Sequence, residues 1–226
     1  MLVLDASGRP LTSRLRRLTP RPASPRALAA TIREMALELP PFDRVSVGFP
    51  GIVVDGVVKT APNLGTELWS GEPLANLLTT TLGKPVRVCN DADLQGFGVV
   101  EGRGVELVLT LGTGLGSALF TDGHLVANLE LAHHPFRKRR TYEELVSDRE
   151  LHLLGRGKWS TRVLRVIEQL APIWNYRLLH LGGGNARKIR CRLPENVRVF
   201  TNADGLRGGI RLWTTAPVQP FAQTGD

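Results

Sequence analysis

Apolar residues along this chain come in short blocks set apart by glycine, proline and polar turns, each block long enough for one strand or a few helical turns. Leu2 to Leu4 predicts the stub of a strand, Ala6 to Pro10 a turn, and Leu11 to Leu18, with loose alternation, a second strand, so a hairpin is expected at the start. The proline-rich run Thr19 to Pro25 forbids regular structure. Ser24 or Pro25 then begins a helix whose apolar positions Leu28, Ile32, Met35 and Leu37 keep roughly helical spacing until Pro40-Pro41. Val45 to Phe49 reads as a buried strand stopped by Pro50-Gly51, and Ile52 to Val58, with Asp55-Gly56 inside it, as a tight hairpin. Leu74 to Leu82 is helical and closed by Gly83-Lys84-Pro85; Val86 to Cys89 is a strand that delivers Asn90-Asp91-Ala92-Asp93 at its end.

The pattern then repeats its grammar. Val105 to Leu111 is a buried strand, Gly112 to Gly116 a glycine loop, and Ser117 to Phe120 a strand turning at Asp122-Gly123. Helices are expected at about 142–154 and 161–170, strands at 177–181 and 197–200 around a Gly182-Gly183-Gly184 turn, and a short helix before the polar tail Pro217 to Asp226. Alternating strands and helices make the fold class α/β. Two strand-rich blocks, 1–104 and 105–226, predict two lobes facing a cleft.

Composition narrows the function classes. With 226 residues, 42% hydrophobic and 22% charged, the chain has a globular balance. Its apolar runs fall far short of the ~20 residues that cross a bilayer, and the N-terminus has no secretory pattern, so a cytoplasmic protein without membrane contact is expected. Cys89 and Cys191 are too few for a disulfide framework or a four-cysteine zinc site. The net charge of +8 is carried mainly by arginine, 24 of the 29 basic residues, and favours an anionic partner without choosing among nucleic acid, nucleotide, sugar phosphate and polyphosphate. A solvated arginine-rich surface would read the same way.

Five segments carry candidate chemistry. Asp91 or Asp93 could cap a helix, or could project a carboxylate into a cleft to take the proton of an attacking hydroxyl. Thr110 to Ser117 could be an unliganded hairpin, or its amides could converge on a phosphate. It is not a Walker loop, since no Gly-Lys-Ser/Thr follows. Glu130-Leu131-Ala132-His133-His134 could be a surface turn or could present a carboxylate and an imidazole to polyol hydroxyls; Asn63 beside Trp69 is similarly a turn residue or a sugar clamp. Arg137-Lys138-Arg139-Arg140 is a solvated loop or a path for a polyanion.

Taken in order, Val47 to Gly51, Ala61 to Leu64, Asn90 to Asp93, Leu109 to Phe120, Asn128 to His133 and Leu181 to Asn185 resemble the ROK sugar kinases, in particular their polyphosphate/ATP glucokinase branch. The resemblance runs from about residue 2 to residue 213. It implies two ribonuclease-H-like lobes of the actin-like fold and transfer of a phosphoryl group from ATP or polyphosphate, with Mg2+, to the 6-hydroxyl of a glucose-type hexose. Asp91 then matches the catalytic base; Asn63, Asn90, Glu130 and His133 match the sugar-binding groups; Gly112, Thr113 and Gly114 match a phosphate loop; and Gly183 and Gly184 match the nucleotide-side turn. A homodimer is implied by analogy, and no nucleic-acid partner is expected. The departures are Ala132 where the family has Gly, no Cys-rich zinc motif, and no Asp-x-Gly-Gly loop near the N-terminus. A central first strand left out would strand buried N–H and C=O groups at about 1–3 kcal/mol each. The expectation is therefore a natural start upstream of Met1, or else a poorly folded or inactive form; a sugar-binding pseudokinase or regulator is the alternative function.

Overall fold

The structure, a computed structural model, describes residues 1–214; the expected polar tail lies outside them. The first helix, α1 (Pro25–Leu37), starts where Ser24 accepts the N–H of Ala27 and Pro25 fills the first turn, whose N–H groups have no intrahelical partner. It is followed by β1 (Val45–Phe49), β2 (Val53–Val54), β3 (Val57–Val58), α2 (Thr66–Trp69), α3 (Leu74–Leu82), β4 (Val86–Asn90) and α4 (Asp91–Val99). Next come β5 (Val105–Leu111), β6 (Leu115–Thr121), β7 (His124–Val126), β8 (Pro135–Arg137), β9 (Arg140–Thr141), α5 (Tyr142–Val146) and α6 (Asp148–Trp174). The described chain closes with β10 (Leu178–Gly182), a 3₁₀ turn Ala186–Lys188, β11 (Val197–Val199), α7 (Asn202–Leu206) and α8 (Gly208–Thr214).

The first half is organised on the parallel pair β1 and β4, in register from Val45↔Val86 to Phe49↔Asn90. Phe49, Trp69, Leu74 and Leu78 bury one face of it against α1 and α3, with the Phe49 and Trp69 rings 4.9 Å apart and the Trp69 indole N–H donated to Ala23 O. The second half is a five-stranded sheet ordered β11-β10-β5-β6-β7, in which β10 pairs parallel with β5 and β11 and β6 pairs antiparallel with β5 and β7. Strand alternation sorts its core: Leu107, Leu109 and Leu111 face the helices α5 and α6, while Val108 faces α4.

Helix α4 therefore lies between the two sheets. At Gly96 a Cβ would come 2.4 Å from the Phe120 ring, so glycine there is what lets helix and sheet meet. On its other side α4 receives α7 and α8: a Cβ on Gly208 would lie 1.7 Å from Leu94 O, and Arg211 donates to Phe97 O and Val100 O. Helix α8 also reaches β1, where Ser46 donates to Gly209 O and Trp213 donates its indole N–H to Ser46 Oγ.

The connection from α4 to β5 is clamped by a buried carboxylate. Glu106, fully buried, accepts the N–H groups of Glu101, Gly102 and Arg103 and that of His180 Nε2 at 2.7 Å. Burial pushes the Glu106 carboxyl up, but these donors outweigh it and hold the group below its ordinary range.

The opening hairpin is the clearest correction. Leu4 and Pro10 form one antiparallel bridge around an Asp5–Gly8 turn, with Leu11 N–H to Val3 O and Leu15 N–H to Met1 O, but no ladder extends to Leu18. Leu11 and Leu18 are 62% and 94% exposed, so the alternation that suggested a strand has no core to face. The helices expected at 142–154 and 161–170 are instead α5 and the longer α6, which breaks direction at Gly155 (φ 72°, ψ 163°). Trp159, fully buried and bonded to Val146 O, anchors the continuation.

Candidate functional site

Asn90 ends β4 and caps α4: its Oδ1 accepts the N–H groups of Ala92 (2.8 Å) and Asp93 (3.4 Å), while its Nδ2 donates to Gly51 O (3.2 Å). Since Asn90 is the cap, the carboxylates of Asp91 and Asp93 are free for other work. Gly48 on β1 leaves room for the turn; a Cβ there would lie 3.1 Å from Asp91 Cα. Asp91 opens to solvent yet is crowded by protein, and this partial desolvation raises its pKa, opposed by the N–H groups of Ala92 and Asp91 itself.

The glycine loop comes up beside this helix start. A Cβ on Gly116 would be 3.0 Å from Ala92 Cβ, which puts the loop one residue from Asp91. Gly112 N–H bonds Gly114 O, closing a tight turn in which Thr113 is exposed. The Gly183 turn seats the loop from behind: Asn185 donates from its backbone to Leu111 O and from its side chain to Gly112 O and Asp148 Oδ1. Gly184 is exposed at the tip of that turn. Gly183 has φ +82°, and a Cβ would meet Leu111 O at 2.3 Å. Gly183→Ala is expected to cost about 1–3 kcal/mol by overpacking and so to lower the Tm; a Tm unchanged from wild type would contradict this seating role.

The segment 128–134 supplies the third wall. Ser117 Oγ donates to Leu129 O and accepts Leu131 N–H, fixing the segment to β6. Glu130 is half-buried and His133 exposed. Burial raises the Glu130 pKa, His133 lowers it, and the nearby Asp91 and Glu143 raise it, so these groups share one electrostatic neighbourhood. Asn63 is exposed on the Ala61–Leu64 turn; Gly51, which Asn90 holds, packs on Thr60 and Ala61 at the base of that turn.

Glu143 carries no signal in the sequence, and the sequence leaves the part played by Asp93 open. Glu143, on α5, accepts Leu115 N–H through Oε2 inside the glycine loop, and its backbone N–H bonds Ala132 O. It thereby joins the glycine loop to the 128–134 segment. Asp93 is 2% exposed; burial, opposed by the Asn128 N–H and reinforced by Asp91 and Glu130, pushes its pKa up to about 7 from 3.8. The folded chain therefore holds this proton where the unfolded chain has released it, and stability falls as pH rises from about 4 to 7. Asp93→Asn should remove that fall, so melts at pH 5 and pH 8 should show the variant gaining on the wild type; a constant difference would refute the shift.

The remaining candidates divide. Arg137, Lys138 and Arg139 are exposed on the β8–β9 turn, whereas Arg140 pairs with Glu150, which also holds Arg162. Burial raises the Cys89 thiol, with Asp93 and Asp91 adding to it, so it is not an activated nucleophile. Among the described residues no three His, Cys, Asp or Glu side chains gather as a metal cage, and no helix is long and apolar enough to cross a membrane.

Known proteins resemble this chain in sequence and in fold. A family model described as the ROK family matches residues 1–130. A polyphosphate glucokinase of Mycobacterium tuberculosis (strain ATCC 25618 / H37Rv) is 34% identical over 218 residues, covering 89% of this chain and 82% of its own. One from Mycobacterium leprae (strain TN) is 31% identical over 224 residues, 92% of this chain and 68% of its own. Among solved structures, the inorganic polyphosphate/ATP-glucomannokinase of Arthrobacter sp. strain KM superposes with a TM-score of 0.83 at 30% identity, covering 95% of this chain and 94% of that one. A ROK family glucokinase from Streptomyces griseus in complex with glucose and AMPPNP shares the fold, with a TM-score of 0.76 at 20% identity over 93% of this chain and 94% of that one.

Proposed function

The chain belongs to the ROK family, and from that premise we propose that it transfers a phosphoryl group from polyphosphate or ATP to the 6-hydroxyl of a glucose-type hexose. The observation that carries the proposal is the placement of Asp91 at the start of α4, one residue from the contact between Ala92 and Gly116 and in the electrostatic field of Glu130. In this reading Asp91 accepts the hydroxyl proton as the oxygen attacks phosphorus, and its raised pKa makes it a stronger base than an ordinary Asp. Glu130 and His133, with Asn63 and Asn90 at the other wall, orient the sugar. The Gly112, Thr113 and Gly114 backbone receives the transferring phosphate, and Gly183 and Gly184 hold the donor side.

Magnesium fits as a donor-borne ion: with no cage among the described residues, phosphate oxygens and water would supply most of its shell, as is usual for Mg2+. When bound it neutralises developing phosphate charge. The sheet order β11-β10-β5-β6-β7, a three-strand meander extended by two parallel strands, supports the ribonuclease-H-like reading of the second lobe. A cytoplasmic kinase is the accompanying proposal.

The test is to incubate the protein at its natural length with glucose, Mg2+ and each donor in turn and to read glucose 6-phosphate by a coupled dehydrogenase. Turnover with either donor is expected. A folded protein that yields no sugar phosphate overturns the kinase reading, and a glucose-dependent rise in Tm without turnover replaces it with a sugar-binding regulator.

A further inference from the structure

We infer that Lys188, in the turn after β10, together with Arg190 and Arg156 beyond it, forms a ridge that docks the phosphates of a polyphosphate donor behind the one transferred, so that the protein selects long chains. The inference rests on the kinase reading above and names its donor. Between Ala186 and Val199 stand five basic residues against one acid, a local excess that is half of the chain's net charge of +8. The stretch begins at the Gly183 turn, which seats the glycine loop from behind. Lys188 comes first. Its Nζ lies 3.9 Å from Asp148 Oδ1, the oxygen that also accepts the Asn185 amide at 2.9 Å, while His152 Nδ1 is 3.3 Å from Asp148 Oδ2. The backbone N–H of Asp148 bonds Gly112 O at 3.1 Å, so Asp148 ties the lysine to the loop.

Further out, neighbouring segments build the ridge together. The Arg190 N–H donates to Ser160 Oγ at 2.9 Å, and Ser160 Oγ donates to Arg156 O at 2.6 Å, so one buried residue of α6 sets Arg190 beside the bend where Arg156 stands. Both arginines are exposed, and neither has an ion-pair partner among the described residues. A Cβ at Gly155 or Gly157, on either side of Arg156, or at Gly112 or Gly184, beside the loop, would meet no atom within 4 Å, so the surface is open at both ends. The other cations of the stretch are balanced locally: Arg187 shares the field of Asp204 on α7, and Arg192 lines an open pocket with Glu168 and Glu195. Unpaired like charges gathered in this way do nothing for the fold; they suit a ligand with a negative charge at every unit. A nucleotide is the poorer match, since residues 183–192 include no aromatic side chain on which a base could stack.

The experiment measures donor kinetics of the protein at its natural length, at saturating glucose, with tripolyphosphate, long-chain polyphosphate and ATP. It compares the wild type with Lys188→Gln and with the double variant Arg156→Gln/Arg190→Gln, whose side chains are exposed and unpaired, so folding is preserved. In the wild type the long chain should have a KM about tenfold below that of tripolyphosphate. The double variant should raise the long-chain KM by about tenfold and leave the KM values for tripolyphosphate, ATP and glucose within about twofold of wild type. Lys188→Gln, nearest the loop, should raise the KM of every donor and spare that of glucose. Added salt should weaken long-chain use steeply in the wild type and less in the double variant. Equal KM values for short and long chains in the wild type, or a double variant that uses long chains as the wild type does, would overturn the ridge. So would single-stranded DNA that inhibits as strongly as long-chain polyphosphate binds, which would make this a general polyanion surface. If no donor supports turnover, the kinase reading fails, and calorimetric titration of long-chain polyphosphate decides the ridge by itself: binding about tenfold weaker in the double variant upholds it, and equal binding removes it.

Discussion

Asp91→Asn is expected to lower kcat by about 10²–10⁴-fold while changing the hexose KM by less than about threefold. The amide is nearly the size of the carboxylate and leaves the Asn90 cap, the Gly48 approach and the Gly116 contact in place, so sugar binding survives. What it cannot do is take a proton. The same residue sets a pH dependence: because partial desolvation raises the Asp91 pKa, the acid limb of kcat/KM should lie above the usual aspartate range, activity falling as pH drops through it. Glu130 is raised as well, so a steeper limb than one group gives is expected in the wild type. A variant that keeps more than a tenth of wild-type kcat would remove Asp91 from the role of base.

The second large effect is structural. Glu106→Ala removes the acceptor for three consecutive backbone N–H groups and for His180, all at the connection between α4 and β5. Breaking a buried, fully bonded charged group in this way costs about 3–5 kcal/mol, which for a chain of this size is a fall in Tm on the order of 10 °C. Glu106→Gln should lose less, since its oxygen can still accept part of the set. Calorimetry that finds Glu106→Ala within 2 °C of wild type would show the clamp to be of little consequence.

Much of this architecture is legible in the sequence, and the reason is local. Val45 to Phe49, Val86 to Asn90 and Val105 to Leu111 are apolar runs cut off by Pro-Gly, Asn-Asp or Gly-Thr-Gly, so each strand and the chemistry at its end could be read together. The opening strands were misread because alternation alone cannot say whether a partner strand exists. Glu143 and Asn128 carry no such signal as ties between segments. Their work is done at contacts 28 and 75 residues away in sequence, with Leu115 and Val53, and neither residue type has a local signature for it. Asp93 is visible as half of a two-carboxylate motif, but only its burial in the folded chain separates it from Asp91.

The return of α7 and α8 to α4 and β1 bears on how the two halves of the chain can move against each other. The polypeptide passes from one side to the other after α4 and comes back after β11, so the two sides are joined by a pair of straps rather than by one. A single strap allows swivelling in any direction; two confine the motion to a flap about the line through both. Any relative motion of the two halves should therefore follow one axis. A protein split at Gly104 should yield two fragments that refold only when mixed, since the helices that complete the first reside in the second.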